Sequence, residues 1–148
     1  MLPKWHVLLG AIFTLLLWAV APTINPIYLS LVFLSSFLID FDHYLASALK
    51  SKRILGLRDS FRYHDKKIKE EKADISAGIK KKGDFHLFHT IEFHVFVGLL
   101  GILFIPLFYI FIGMLFHSLL DVYDGLRKGW LHRREFFLSN WVRKGLRV

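Results

Sequence analysis

Cysteine is absent from this chain. Disulfide bonds and thiolate metal ligands are excluded, so any metal site has only nitrogen and oxygen donors to draw on. Formal charge is missing from two long stretches, since neither residues 5–39 nor residues 93–120 contain Asp, Glu, Lys or Arg. Both exceed what the core helix of a soluble protein needs, because about 20 apolar residues rising about 1.5 Å each cross the hydrocarbon of a bilayer. Proline is scarce, with four in the chain, and its placement is informative. Ala21-Pro22-Thr23-Ile24-Asn25-Pro26 divides the first stretch, as proline cannot continue a helical hydrogen-bond ladder. The expected helices are residues 5–21 and 26–43.

The second stretch fits one tilted helix or two shorter ones by length, and the placement of basic residues decides between them. Lys4 precedes the first stretch, and every other Lys and Arg lies within residues 50–82 or 127–147. A single crossing would put the last group across the membrane from the rest, against the tendency of basic residues to stay in the cytoplasm. A fold-back near Ile105-Pro106 keeps all of them on one side. The chain then reads as an all-α polytopic bundle of four transmembrane helices in two hairpins, 5–21 with 26–43 and 86–104 with 107–124. Both termini are expected in the cytoplasm, at the cytoplasmic (inner) membrane.

Lys4, the apolar run and Ala19-Val20-Ala21 imitate a secretory signal. Pro22 would follow the cut and block it, so the segment reads as a retained helix. With 148 residues there is room for one domain. Residues 44–84 form a basic cytoplasmic connection, with Gly56, Gly78 and Gly83 as helix interruptions. Residues 125–148 combine basic residues with Trp130, Phe137 and Trp141 on one helical face, an amphipathic interfacial helix. The net charge of +8 flanks the spans, which points to membrane lipids rather than nucleic acid as partner.

Histidines and carboxylates gather at the cytoplasmic ends of these spans. His6 opens the first, four residues before Gly10, and suits either an interfacial anchor or a ligand. Asp40, Asp42 and His43 close the second, where unpaired charge is costly near hydrocarbon. His86, His89 and Glu92 form a row at steps of three, with His94 within reach of the same side. His117 and Asp121, four apart, present two donors on one face; Asp124 continues the row or acts as a helix-end carboxylate beside Arg127 or Lys128. His64 and His132 lie in basic segments and read as surface residues.

These spacings resemble the membrane-bound, metal-dependent hydrolase-like proteins, including a LexA-regulated inner-membrane group. His6 with Gly10, then Asp40, Asp42 and His43, then His89 with His94, and finally His117 with Asp121 match the four elements of that group. Ile39 replaces a proline, and Thr90, Ile91 and Phe93 replace Arg, Gly and Thr. A more distant similarity links the His-x-x-x-Asp element to zinc-dependent phospholipase C and P1-type nucleases. The resemblance implies a helical metal-dependent hydrolase.

The expected activity is hydrolysis of a phosphoester or ester of a lipid or lipid-linked substrate at the cytoplasmic membrane surface. Metal ligands are expected among His6, Asp40, His43, His86, His89, His94, His117 and Asp121. Asp42, Glu92 and Asp124 are the candidates for acid–base or ligand-orienting roles. Zinc suits a histidine-rich nitrogen and oxygen site, with manganese, iron and magnesium as alternatives. A nonenzymatic metal-binding or transport protein, and a haem or di-iron redox protein, are the competing readings.

Overall fold

The structure is a computed structural model describing residues 3–44, 57–79, 81–83 and 85–145. It is all-helical: α1 (Pro3–Val20), α2 (Pro26–Leu38), α3 (Leu57–Ser76), α4 (Ile91–Leu103), α5 (Ile105–Lys128) and α6 (Leu138–Gly145), with 3-10 turns at Leu87–His89 and Leu131–Arg133. Among the described residues, two segments are long and apolar enough to cross a membrane, Pro26–Tyr44 with 19 residues and Ile105–Lys128 with 24. The helices Lys4–Val20 and Ile91–Leu103 are apolar but shorter.

Local chemistry sets the boundaries. Asn25 caps α2 by accepting the Ile27 amide at 2.9 Å, and Pro26 occupies the first turn, where no amide is missed. Phe104 alone, in an extended conformation, separates α4 from α5, so the chain reverses where the Ile105-Pro106 reading expected. At the other end of α5, Gly129 adopts φ 72° and closes the helix, a left-handed turn that glycine enters without side-chain strain.

The helices pack as two antiparallel hairpins with α2 and α5 side by side. α2 and α5 run in the same direction: Tyr28 stacks on Tyr109 at one end, and His117 Nδ1 donates to the Ser36 carbonyl at 2.9 Å farther along. Glycine permits the close approach. A Cβ on Gly113 would collide with Ser35 Oγ and the Val32 carbonyl, and one on Gly10 with Ser36 Oγ. Small residues at such crossings let helix backbones approach without a bulky side chain between them.

Burial is inverted relative to a water-soluble domain. The buried residues include His6, Ser36, Asp42, His89, His94, His117, Asp121 and Asp124, whereas Leu15, Leu16, Ile27, Leu99, Ile102, Leu103 and Leu119 are exposed. Apolar surface outside and polar groups inside match a hydrocarbon surround.

Three expectations about the segments change. The third arm is not one helix over 86–104, because Thr90 caps a helix that begins at Ile91 and leaves His86–His89 on an extended and 3-10 approach. The tail is not one helix either: Trp130 and Phe137 lie outside α6, and Trp141 within it stacks on Phe85 at 4.4 Å. Backbone bonds from Gly83 to Arg133 and from Ile91 to Phe136 hold the segment before α6 against the rest of the molecule. Within the tail, Lys144 and Asn140 bond to Glu135 and keep its carboxyl below the usual range. Third, Gly78 ends α3 at φ 69° as an interruption should, whereas Gly83 donates to Arg133. Gly56 lies outside the described residues, as does the His64 side chain.

Candidate metal centre

At the end of the bundle opposite the two tight reversals, α2 gives way to turns at residues 39–40. Its last bonds are short-range, Asp40 to Phe37 and Asp42 to Ile39. This tightening sends two nearby carboxylates to different tasks. Asp40 joins His89, His117 and Asp121, and one donor atom from each lies within 4.8 Å of all the others. Asp42 Oδ2 sits behind His89, accepting the Phe88 amide at 2.6 Å and facing His89 Nδ1 at 3.4 Å.

Both histidines are turned by their outer nitrogens. With His117 Nδ1 donating to Ser36 and His89 Nδ1 donating to Asp42, their Nε2 atoms face each other at 3.2 Å. In the neutral tautomer those atoms carry lone pairs, which repel unless a proton or a metal cation lies between them. His117 Nε2 is 3.4 Å from Asp40 Oδ1 and 3.3 Å from Asp121 Oδ2. From His89 Nε2 the same oxygens are 3.7 and 3.8 Å away. A tetrahedral ion bound at about 2.1 Å to nitrogen and oxygen donors sets them about 3.4 Å apart. The observed separations bracket that value. No protein family, curated protein or solved structure matches this chain.

The surrounding residues divide into supports and bystanders. His6 is fully buried and stacks on His117 with ring centroids 4.0 Å apart. Its Nε2 lies 3.1 Å from Asp121 Oδ1, yet neither ring nitrogen has an aligned hydrogen bond. A buried imidazole held against a ligand-candidate carboxylate fits a residue that supports Asp121 from behind, because a buried polar group needs such a partner. His43 Nε2 stands 3.4 Å from Asp40 Oδ1, and the His43 ring packs 4.0 Å from that of His86. These two histidines flank the four-donor group without joining it.

Other expected site residues are engaged elsewhere. His94 donates through Nδ1 to the Thr90 carbonyl at 2.9 Å, within the first turn of its own helix, and accepts from Ser118 of α5 through Nε2 at 2.9 Å, so both ring nitrogens are engaged away from the four donors. Glu92 accepts the Leu138 and Ser139 amides and the Ser139 hydroxyl. It thereby caps α6, filling the amides that a helix start leaves open. Asp124 pairs with Lys128 at 2.7 Å, the helix-end alternative. His132 is exposed, as expected of a surface residue.

Arg134 is the site residue that the sequence reading missed. Its Nη2 lies 3.0 Å from Asp121 Oδ2. Beside it opens a cavity of about 570 Å³ lined by His43, His86, Asp121, Lys72, Ile75 and Trp130, among others. Adjacent Arg133 is bound to α3, 3.3 Å from Asp74 and 3.7 Å from Glu71.

Proposed function

We propose that the chain is a membrane-embedded, metal-dependent hydrolase with four spans, both termini in the cytoplasm, and its site at the cytoplasmic surface of the inner membrane. The substrate is a phosphoester or ester of a lipid or lipid-linked molecule. One observation carries the reading: two carboxylates and two oriented imidazoles, three of the four buried, converge beside a cavity with both basic and apolar walls. The sequence resemblance to metal-dependent hydrolase-like membrane proteins supports the same assignment.

Asp40, His89, His117 and Asp121 would hold a divalent ion, and zinc suits their chemistry. The ion supplies Lewis acidity and a water of lowered pKa. Asp42 and the Ser36 carbonyl keep the two imidazoles aimed inward. His43, at the cavity wall, is placed to exchange a proton with a leaving group. Ile75 and Trp130 give the cavity an apolar side, and Lys72 a positive one. Such a pocket suits an anionic ester on a hydrocarbon-bearing molecule.

The cavity favours hydrolysis over simple metal storage, which needs no substrate volume. A haem reading meets a steric obstacle, because imidazole nitrogens 3.2 Å apart leave no slot for a porphyrin plane. The deciding experiment is elemental analysis of purified, extensively dialysed protein, followed by hydrolysis assays on phosphomonoester and phosphodiester lipids in nanodiscs. Stoichiometric metal and turnover that both disappear in His117→Ala are expected. Protein that is metal-free and cannot be reloaded would overturn the proposal.

A further inference from the structure

We propose that Arg134 is an exchangeable anion-binding residue: it holds Asp121 while the site is metal-free and turns to the phosphoryl or other oxyanion group of the substrate once a metal takes that carboxylate. The inference rests on the metal reading above and adds to it the residue that recognises substrate charge.

The oxygen that Arg134 contacts is the one that faces His117 Nε2 among the four donors. Asp121 Oδ2 is 3.0 Å from Arg134 Nη2 and 3.3 Å from His117 Nε2. A divalent ion among the four donors would draw that oxygen to about 2.0–2.2 Å. With the ion on that oxygen less negative charge is left for the guanidinium, and the doubly charged, closer cation weakens the Arg134 contact. A guanidinium does not relieve the conflict by losing its proton. Its side chain is then freed to turn.

The side chain can move while its anchor stays. Lys82 Nζ donates to the Arg134 carbonyl at 2.8 Å, and the Gly83 amide to the Arg133 carbonyl at 2.8 Å. Arg133 is tied to Asp74 and Glu71, and Lys128 to Asp124. Arg134 instead borders the cavity and is 21% exposed. Its planar fork suits two oxygens of a phosphate or carboxylate, a geometry that a lysine cannot reproduce.

The test measures zinc affinity by chelator competition, and phosphate affinity by titrating inorganic phosphate into dialysed, zinc-loaded protein. Arg134→Gln should bind zinc about tenfold more tightly, because a charged hydrogen bond competing for Asp121 is gone, and phosphate about tenfold more weakly. Arg134→Lys keeps the charge and loses the fork, so zinc affinity should stay near the parent's while phosphate binding falls. A purely structural arginine would give the opposite zinc result, since losing it would loosen the site. Nanodiscs with and without phosphatidate separate the two sources of the anion. Competition between that lipid and phosphate in the parent identifies a headgroup, and phosphate binding without competition identifies a soluble phosphate compound; either supports the proposal. Unchanged zinc affinity or unchanged phosphate affinity in Arg134→Gln overturns the exchange alone. Parent protein that takes up no zinc overturns the metal reading and the exchange with it.

Discussion

Asp42 meets the four-donor group through His89, so changing it alters the aim of one ligand without removing any. Asp42→Asn should lower zinc affinity about 10–100-fold with the fold retained, as loss of such orienting partners does at other metal sites. Chelator competition on monodisperse protein checks this, and parent-like affinity would show that His89 needs no orientation. Glu92→Gln should act on the tail instead. It weakens the cap on α6 and speeds proteolysis within residues 138–145, while zinc affinity stays unchanged. The difference between these carboxylates was not legible from spacing, because the row His86, His89, Glu92 assumes a helix that begins only at Ile91. His117 and Asp121 were legible, since four residues apart on a continuous helix fixes a shared face. Arg134 was hidden among basic residues whose other explanation, topology, was sufficient.

At the scale of elements, two glycines stand one helical turn from two buried histidines, Gly10 after His6 and Gly113 before His117. Both approach α2 at its serines. Gly113→Ala should destabilise by about 1–3 kcal/mol, the usual cost of overpacking, because its Cβ meets the Val32 backbone carbonyl, which cannot swing aside. Gly98→Ala should cost less, as its Cβ would meet the ring of Phe111 at 3.3 Å. Thermal unfolding in detergent separates the two, and equal losses would contradict the packing argument. The helix-breaking role of the Pro22–Pro26 turn was readable from proline chemistry, and the reversal near Pro106 from the placement of the basic residues. The folded path of the tail was not, since it depends on backbone bonds to residues 83 and 91 that no periodicity encodes.

For the whole molecule, the absence of cysteine makes a clean test of the four-span proposal possible. Single cysteines at Thr23 and at Glu70 should react with an impermeant maleimide from opposite sides of the membrane, Glu70→Cys from the cytoplasm. Labelling of both from one side would reject the threading. The inverted burial pattern, with apolar Leu15, Ile102 and Leu119 outward and His117 inward, agrees with the hydropathy reading of the two uncharged stretches.

Neither hairpin owns the four-donor group: Asp40 follows α2, His89 precedes α4, and His117 and Asp121 belong to α5. On the proposed membrane and metal readings, insertion of the helices and completion of the centre would be separate events. An ion that binds only after the hairpins dock acts as a latch on assembly, stabilising it by about 2.7 kcal/mol at a hundred times its dissociation constant. Under metal starvation, newly made copies would linger as inserted but unlatched halves with carboxylates bare at the membrane edge. Membrane quality-control proteases would meet them first, so cellular abundance of this protein should follow metal supply.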